Sequence, residues 1–204
     1  AQSVGKIAVD VNALGVDLLS IAGHKLYAPK GIGALYVRRG TPLRPVLRGA
    51  GQERGLRPGT ENVAAIVALG EACRLAALRL RDGTHDMRPL TAALGAQLQR
   101  EVPGLAIVGH PTARLPNTLN VLFPGVSGRA VLAACPSVMA STGSACHADR
   151  EEASGVLRAL GIPEAQALGA VRLSLGILTT MAEVETAAAA LAEAWRQVSH
   201  DVSG

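Results

Sequence analysis

The 204-residue chain has a net charge of +4, with 49% hydrophobic and 18% charged residues, a composition that excludes a disordered protein. Its basic residues, 17 Arg and 3 Lys, are scattered, and only four aromatic residues could stack on bases, so no nucleic-acid surface is expected. No apolar run approaches the roughly 20 residues that span a bilayer, so no membrane association is expected.

The first sixty residues alternate short apolar runs with glycine and proline, a pattern that predicts strands joined by turns. Residues 16–21 and 33–37 are the predicted strands, and a polar loop with two glycines, residues 22–32, connects them. A second loop rich in glycine and arginine covers residues 48–59. Loops held between buried strands are frequent positions for functional side chains.

A long helix is predicted over residues 61–81, with Thr60 as its N-cap. Apolar residues recur along it at helical spacing, which predicts one buried face. The members of that predicted stripe are Val63, Ile66, Val67, Gly70, Cys73 and Ala77.

After Asp82 the pattern changes to a mixture of short helices and strands, which predicts a small α+β domain. The predicted strands cover residues 105–108, 118–123, 138–140 and 170–175. The predicted helices lie near residues 87–98, 127–134, 153–160 and 163 onward, and the last begins at a capping box formed by Thr180 and Glu183. We therefore predict two domains, residues 1–82 and 83–204.

Lys25 lies in the loop between the first two strands, directly after His24. A single lysine in a loop is most often solvated, and a single histidine most often makes structural hydrogen bonds. Burial among apolar strands, however, lowers the pKa of a lysine, and an amine that forms a Schiff base needs a lowered pKa. In a chain with so few lysines, this one is a candidate catalytic residue, because arginine cannot replace lysine in that chemistry.

Three cysteines at wide spacing, an odd number, form neither a disulfide framework nor a zinc site, so no metal is expected and a reducing, cytoplasmic setting fits best. Cys73 and Cys135 are predicted to be core or near-core residues. Cys146 follows small residues and precedes a charged run, which favours an exposed loop over the commoner buried cysteine. The adjacent His147 could help to ionise this thiol.

Arg172 interrupts a predicted apolar strand. Alternation places it with Ser174 on one face and Val171, Leu173 and Leu175 on the other. A single arginine on a strand is usually an exposed charge. Where such a face lines a cleft, the guanidinium is a bidentate partner for a substrate carboxylate.

Four segments together resemble cysteine desulfurases, in matching order and spacing. Residues 17–36, with Gly23-His24-Lys25, are similar to the cofactor-lysine signature, and residues 51–62 to the loop that follows it. The segment that ends at Cys146 resembles the catalytic-cysteine loop, and residues 171–174 resemble the substrate-carboxylate strand. The resemblance covers essentially the whole chain.

The resemblance implies an α/β fold: the C-terminal part of a type I pyridoxal-phosphate transferase large domain, followed by the small domain. Lys25 would bind pyridoxal phosphate covalently and transfer protons. His24 and Gln2 would contact the cofactor, and Thr60 would reach the phosphate of the neighbouring subunit of a homodimer.

In the same way, Arg172 would hold the carboxylate of L-cysteine. Cys146 would take its sulfur as a persulfide, leaving alanine. The eight-residue step from Cys146 to Ser154 matches the long-loop branch of the family, which passes sulfur to an acceptor protein.

The chain departs from the family pattern at two places. Ala22 stands where many members have a serine that binds the cofactor phosphate. The pattern that precedes Gln2 in the family would already be under way at Ala1, so the acidic partner of the cofactor ring, the stacking histidine and the first phosphate loop are expected upstream. The chain alone is therefore expected to be inactive.

Two alternatives stay open at this point. Selenocysteine lyases share the same plan and act on L-selenocysteine, and residues 146–149 are similar to their version of the loop. A truncated chain could also serve, without enzymatic activity, as a sulfur-accepting or partner-binding module.

Overall fold

The computed structural model describes residues 1–143 and 154–203. The chain divides into two compact units, residues 1–85 and 86–204. The first combines one antiparallel strand pair with a long helix. The second contains a three-stranded sheet and the remaining helices. Among the helices of the described part, none is long and apolar enough to cross a membrane.

In the first unit, strand β1 (Leu18–Ala22) pairs antiparallel with β2 (Gly33–Val37), with Leu18 opposite Val37 and Ala22 opposite Gly33. Helix α1 (Val63–Asp82) packs against the loop between these strands. It ends at Gly83, whose left-handed φ of 65° favours glycine. The core of this unit is small and consists of Leu26, Ala28, Leu69, Ala72 and Ala76, with Val4, Ile21, Ile32 and Cys73 packed at its margin.

Two predictions for α1 are wrong. The N-cap is Asn62, whose Oδ1 accepts a hydrogen bond from the backbone nitrogen of Ala65, while Thr60 lies outside the helix. The predicted apolar stripe does not form the buried face, since Val63 is 64% exposed and Val67 is 66% exposed. The buried face instead carries Leu69, Ala72 and Ala76, which cluster with Leu26 and Ala28.

The second unit is built on a sheet of order β3-β4-β5, antiparallel throughout, with its largest helices, α2 and α6, packed on each other. Its elements in chain order are α2 (Arg88–Glu101), β3 (Ala106–Val108), β4 (Thr118–Leu122), α3 (Gly128–Ala134), α4 (Gly155–Ala159), α5 (Glu164–Ala167), β5 (Ala170–Ser174) and α6 (Met181–Ser203).

The main core of this unit joins one face of the sheet to α2, α3 and α6. Its fully buried side chains include Leu98, Val121, Phe123, Val131, Val171 and Leu191. A smaller cluster contains Leu122, Leu157, Ala167 and Ala170, with Val108 and Ile162 packed against it. On the face of β4 and β5 away from the main core, Leu122 and Ala170 belong to this smaller cluster, and the polar residues are Thr118, Asn120, Arg172 and Ser174.

The N-terminus of α6 has the predicted capping box. The backbone nitrogen of Thr180 donates to Glu183 Oε2 at 2.8 Å, and the backbone nitrogen of Glu183 donates to Thr180 Oγ1 at 3.3 Å. The predicted strand at residues 138–140 is wrong. Only the next residue, Ser141, makes a single bridge to Arg172, because the chain touches the edge of the sheet at one point and turns away.

Candidate active site

Lys25 lies on a 3-10 turn, Gly23–Leu26, that follows β1 directly. The nitrogen of Gly23 donates to the carbonyl of Ile32 at 2.9 Å, and the nitrogen of Ala28 donates to the carbonyl of Gly23 at 3.1 Å, so both ends of the turn are fixed. Leu26 is 3% exposed and anchors the turn in the core. As a result Lys25 is half-buried while His24 is exposed.

The turn closes tightly at Gly23. A Cβ atom placed there would lie 2.7 Å from the carbonyl oxygen of Ile32 and 2.8 Å from Ile32 Cγ2, closer than side chains and backbone normally approach. Glycine is therefore required at this position by space, independently of its backbone freedom. The close approach couples the position of the lysine turn to the start of β2.

Lys6 joins the beginning of the chain to the lysine turn, a contact that sequence analysis missed. Its Nζ donates a hydrogen bond to the backbone carbonyl of Lys25 at 3.2 Å. The pKa of Lys6 is lowered from the usual lysine value, first by partial burial and then by repulsion from the positive charge of Lys25. The sequence signal was available, because Lys6 is one of only three lysines in an arginine-rich chain.

The second glycine-rich loop is closed by its own side chains. Gln52 Oε1 accepts from the backbone nitrogen of Gly59 at 3.0 Å, and Arg57 Nη1 donates to the carbonyl of Thr60 at 3.3 Å. Two neighbouring non-glycine residues in the loop, Glu53 and Arg54, have φ angles of 48° and 62°. These contacts hold the segment that leads to Thr60, whose side chain is exposed.

Arg172 lies on β5 as the alternation predicted. Val171 and Leu173 are buried on the core side, while Arg172 and Ser174 are exposed on the other. The backbone of Arg172 is held on both sides of the strand: it pairs with Asn120 of β4, and it exchanges two hydrogen bonds with Ser141, of 2.7 and 3.3 Å. The strand position of the guanidinium is therefore fixed, although its long side chain extends from the sheet.

Cys146 and His147 lie outside the described residues, and their predicted roles stay predictions. Cys146 follows Ser141 by five residues in the sequence. Ser141 Oγ donates to the carbonyl of Gly143 at 2.8 Å, so the described beginning of this segment is ordered next to Arg172.

The predicted site residues fall into both units. Gln2, His24, Lys25 and Thr60 belong to the first unit, and Arg172 to the second. Gln2 is exposed near the beginning of the chain. Within the described ranges 1–143 and 154–203, no group of three His, Cys, Asp or Glu side chains could hold a metal ion.

Comparison with known proteins identifies the family. The profile of the aminotransferase class-V family matches residues 1–186. The chain belongs to the aminotransferase class-V family. This confirms the resemblance stated above, since the aligned region contains the lysine turn, the second loop and the strand of Arg172.

Curated relatives of this chain carry desulfurase names. Cysteine desulfurase 2 of Trichormus variabilis is 45% identical over 186 residues, which cover 90% of this chain and 46% of the relative. Cysteine desulfurase NifS of Azotobacter vinelandii is 44% identical with the same coverage. The chain thus spans about half the length of the curated relatives it matches.

Solved structures of NifS-like proteins agree with the fold. A NifS-like protein superposes with a TM-score of 0.83 at 34% identity and covers 95% of this chain and 50% of its own. A NifS-like protein from Rickettsia africae ESF-5 gives a TM-score of 0.83 at 30% identity, with 98% and 52% coverage. The predicted α/β fold class is confirmed. The cofactor of this class of enzymes is pyridoxal phosphate, as predicted.

Proposed function

We propose that this chain is the C-terminal half of a pyridoxal-phosphate-dependent cysteine desulfurase, which converts L-cysteine to L-alanine and takes the sulfur on Cys146. The observation that carries the proposal is the half-buried Lys25 on a turn fixed at both ends, in a chain 44–45% identical to cysteine desulfurases. A fixed, sheltered amine is what covalent attachment of an aldehyde cofactor requires.

The charge distribution around the lysine turn fits this cofactor. Two ammonium groups, those of Lys6 and Lys25, lie close enough to repel each other, and His24 is exposed beside them. A phosphate-bearing ligand would relieve that repulsion. Lys25 would bind the cofactor and move protons, while His24, Gln2 and Thr60 would contact it, Thr60 from the neighbouring subunit. When bound, pyridoxal phosphate supplies an electron sink for the substrate carbon.

The remaining chemistry belongs to two residues of the second unit. Arg172 would bind the substrate carboxylate through its guanidinium fork, which matches a carboxylate bidentately. The Cys146 thiolate would attack the sulfur of the substrate. As the new S–S bond forms, the Cβ–S bond breaks, its electron pair stays with the substrate carbon, and protonation there gives alanine. The product on the protein is a Cys146 persulfide.

The same proposal includes the partners and the setting of the intact protein. A persulfide must be passed on, so a sulfur-acceptor protein is the expected partner, and the contribution of Thr60 to a neighbouring site requires a homodimer. Cys73 and Cys135 are both free thiols, which agrees with a reducing, cytoplasmic location.

One experiment on the full-length protein tests the proposal. Lys25→Ala is expected to abolish the absorbance of covalently bound cofactor, while Lys30→Ala, an exposed lysine five residues later, should leave it unchanged. Cys146→Ala should keep the cofactor spectrum and lose essentially all alanine production from cysteine. Cys73→Ala, which removes a free cysteine on α1, is the matched control.

Four results would contradict the proposal. Normal bound-cofactor absorbance in Lys25→Ala would remove Lys25 from its role, and wild-type desulfuration by Cys146→Ala would remove Cys146. A wild-type protein that accepts only L-selenocysteine would be a selenocysteine lyase. Absence of turnover on either amino acid would favour a sulfur-accepting or partner-binding module.

A further inference from the structure

Asn120 has a polar atom that the structure leaves without a partner. Within the described residues, its Oδ1 is buried and accepts no hydrogen bond. An unpaired buried acceptor costs stability, because the oxygen has lost its water without gaining a donor. An apolar residue in place of Asn120 would avoid that cost. Its neighbour on β3, Val108, already packs against an apolar cluster.

The register of the sheet shows which donor can reach this oxygen. Asn120 of β4 lies directly opposite Arg172 of β5, and directly opposite Val108 of β3 on its other side. Side chains at opposed positions share one face and have Cβ atoms roughly 4.5–5.5 Å apart. Of its two cross-strand neighbours, only Arg172 has side-chain donors.

The sheet fixes the backbone of Asn120 and Arg172, so a contact between their side chains requires the guanidinium to move. Arg172 is bonded through its main chain to Ser141 on the edge of the sheet and is paired with β4 on the other side. Its exposed side chain is the flexible part. A guanidinium has five N–H donors, and a bidentate carboxylate uses two of them, so donors remain for a fixed acceptor behind it.

We propose that Asn120 is a positioning residue for Arg172: its Oδ1 accepts one guanidinium N–H and directs the opposite edge of the group toward the substrate carboxylate. This inference rests on the proposed function and refines it. The substrates it selects are amino acids with a free α-carboxylate. The free-energy cost of the unpaired Asn120 Oδ1 is offset when this oxygen accepts the hydrogen bond that orients Arg172 for substrate binding.

The test uses Asn120→Leu in the full-length protein. The KM for L-cysteine and the inhibition constant of L-alanine are expected to rise about tenfold, with kcat changed by less than about twofold, since only carboxylate binding loses an oriented partner. The thermal midpoint should be unchanged or higher, because a buried unpaired acceptor is removed. Thr118→Val, at the next position of the same face opposite Ser174, should leave both constants unchanged.

Cysteamine, which lacks the carboxylate, separates positioning from a general structural role. Its binding should be equal in the wild type and in Asn120→Leu. An equal loss of cysteamine binding, a lowered thermal midpoint or unchanged constants for cysteine and alanine would each overturn the inference. If the wild type binds neither amino acid, the proposed function fails and the inference with it. If the wild type binds both and the variant matches it, the inference alone fails.

Discussion

Replacement of Gly23 by alanine tests whether the lysine turn is fixed by the close approach of two backbone segments. The added methyl group would meet the carbonyl oxygen of Ile32 at 2.7 Å and Ile32 Cγ2 at 2.8 Å. Favourable contacts between carbon atoms begin at about 3.5 Å, so the overlap with Cγ2 is about 0.7 Å. The variant therefore forces either the turn or β2 to move.

The expected loss of stability in Gly23→Ala depends on which of the contacting atoms can move. The Ile32 side chain can rotate, but its carbonyl oxygen also accepts the hydrogen bond from the nitrogen of Gly23 and cannot withdraw without weakening it. Overpacking of this kind costs about 1–3 kcal/mol, and a weakened backbone hydrogen bond adds up to about 1 kcal/mol. Movement of the turn also displaces Lys25, so the fraction of protein that binds the cofactor covalently should fall.

Two measurements on the full-length protein check this prediction: the thermal midpoint and the absorbance of bound cofactor. Gly70→Ala is the control, since a Cβ there meets nothing within 4 Å and alanine in a helix interior should stabilise by about 0.5–1 kcal/mol. A Gly23→Ala protein with wild-type thermal midpoint and full cofactor absorbance would refute the argument that the turn is held by this contact.

Two further predictions concern Lys6 and Glu183. Lys6→Met should lower cofactor binding, because the carbonyl of Lys25 loses its hydrogen-bond donor, and Lys6→Arg should restore binding. Folding lowers the pKa of Lys6, so the stability of the wild type should rise with pH up to about 10.4. The stability of Lys6→Met, measured by denaturation, should depend less on pH. Hydrogen bonds from the backbone and then the side chain of Thr180 lower the pKa of Glu183. The contribution of Glu183 to stability is therefore present above about pH 4.3 and is lost as the pH falls through the lowered pKa. Glu183→Gln should remove this acid dependence, and Glu185→Gln should not.

The sequence predicted well those features that depend on local pattern. The alternation around Arg172 placed it correctly on the outward face, because apolar residues at every second position leave one arrangement for a half-buried strand. The capping box at Thr180 was found because its two hydrogen bonds connect residues three apart.

The features that were missed depend on contacts between distant segments. Periodicity along α1 identified an apolar side, but the packing partner is the lysine turn, which accepts Ala72 and Ala76 rather than the larger residues of the stripe. Thr60 and Asn62 are both good N-caps by type, and only the start of the helix at Val63 decides between them. The role proposed for Asn120 depends on the register between β4 and β5, which the sequence of a single strand does not reveal.

The double hydrogen bond between Ser141 and Arg172 has a consequence for sulfur delivery. It fixes one anchor point, and Cys146 follows that anchor by five residues. Five residues extend at most to roughly 17 Å, whatever path they take. The backbone of Cys146 is therefore confined to that distance from Ser141 by the length of the chain alone. Under the proposed function, a sulfur acceptor would therefore have to dock with its own thiol near this part of the sheet edge.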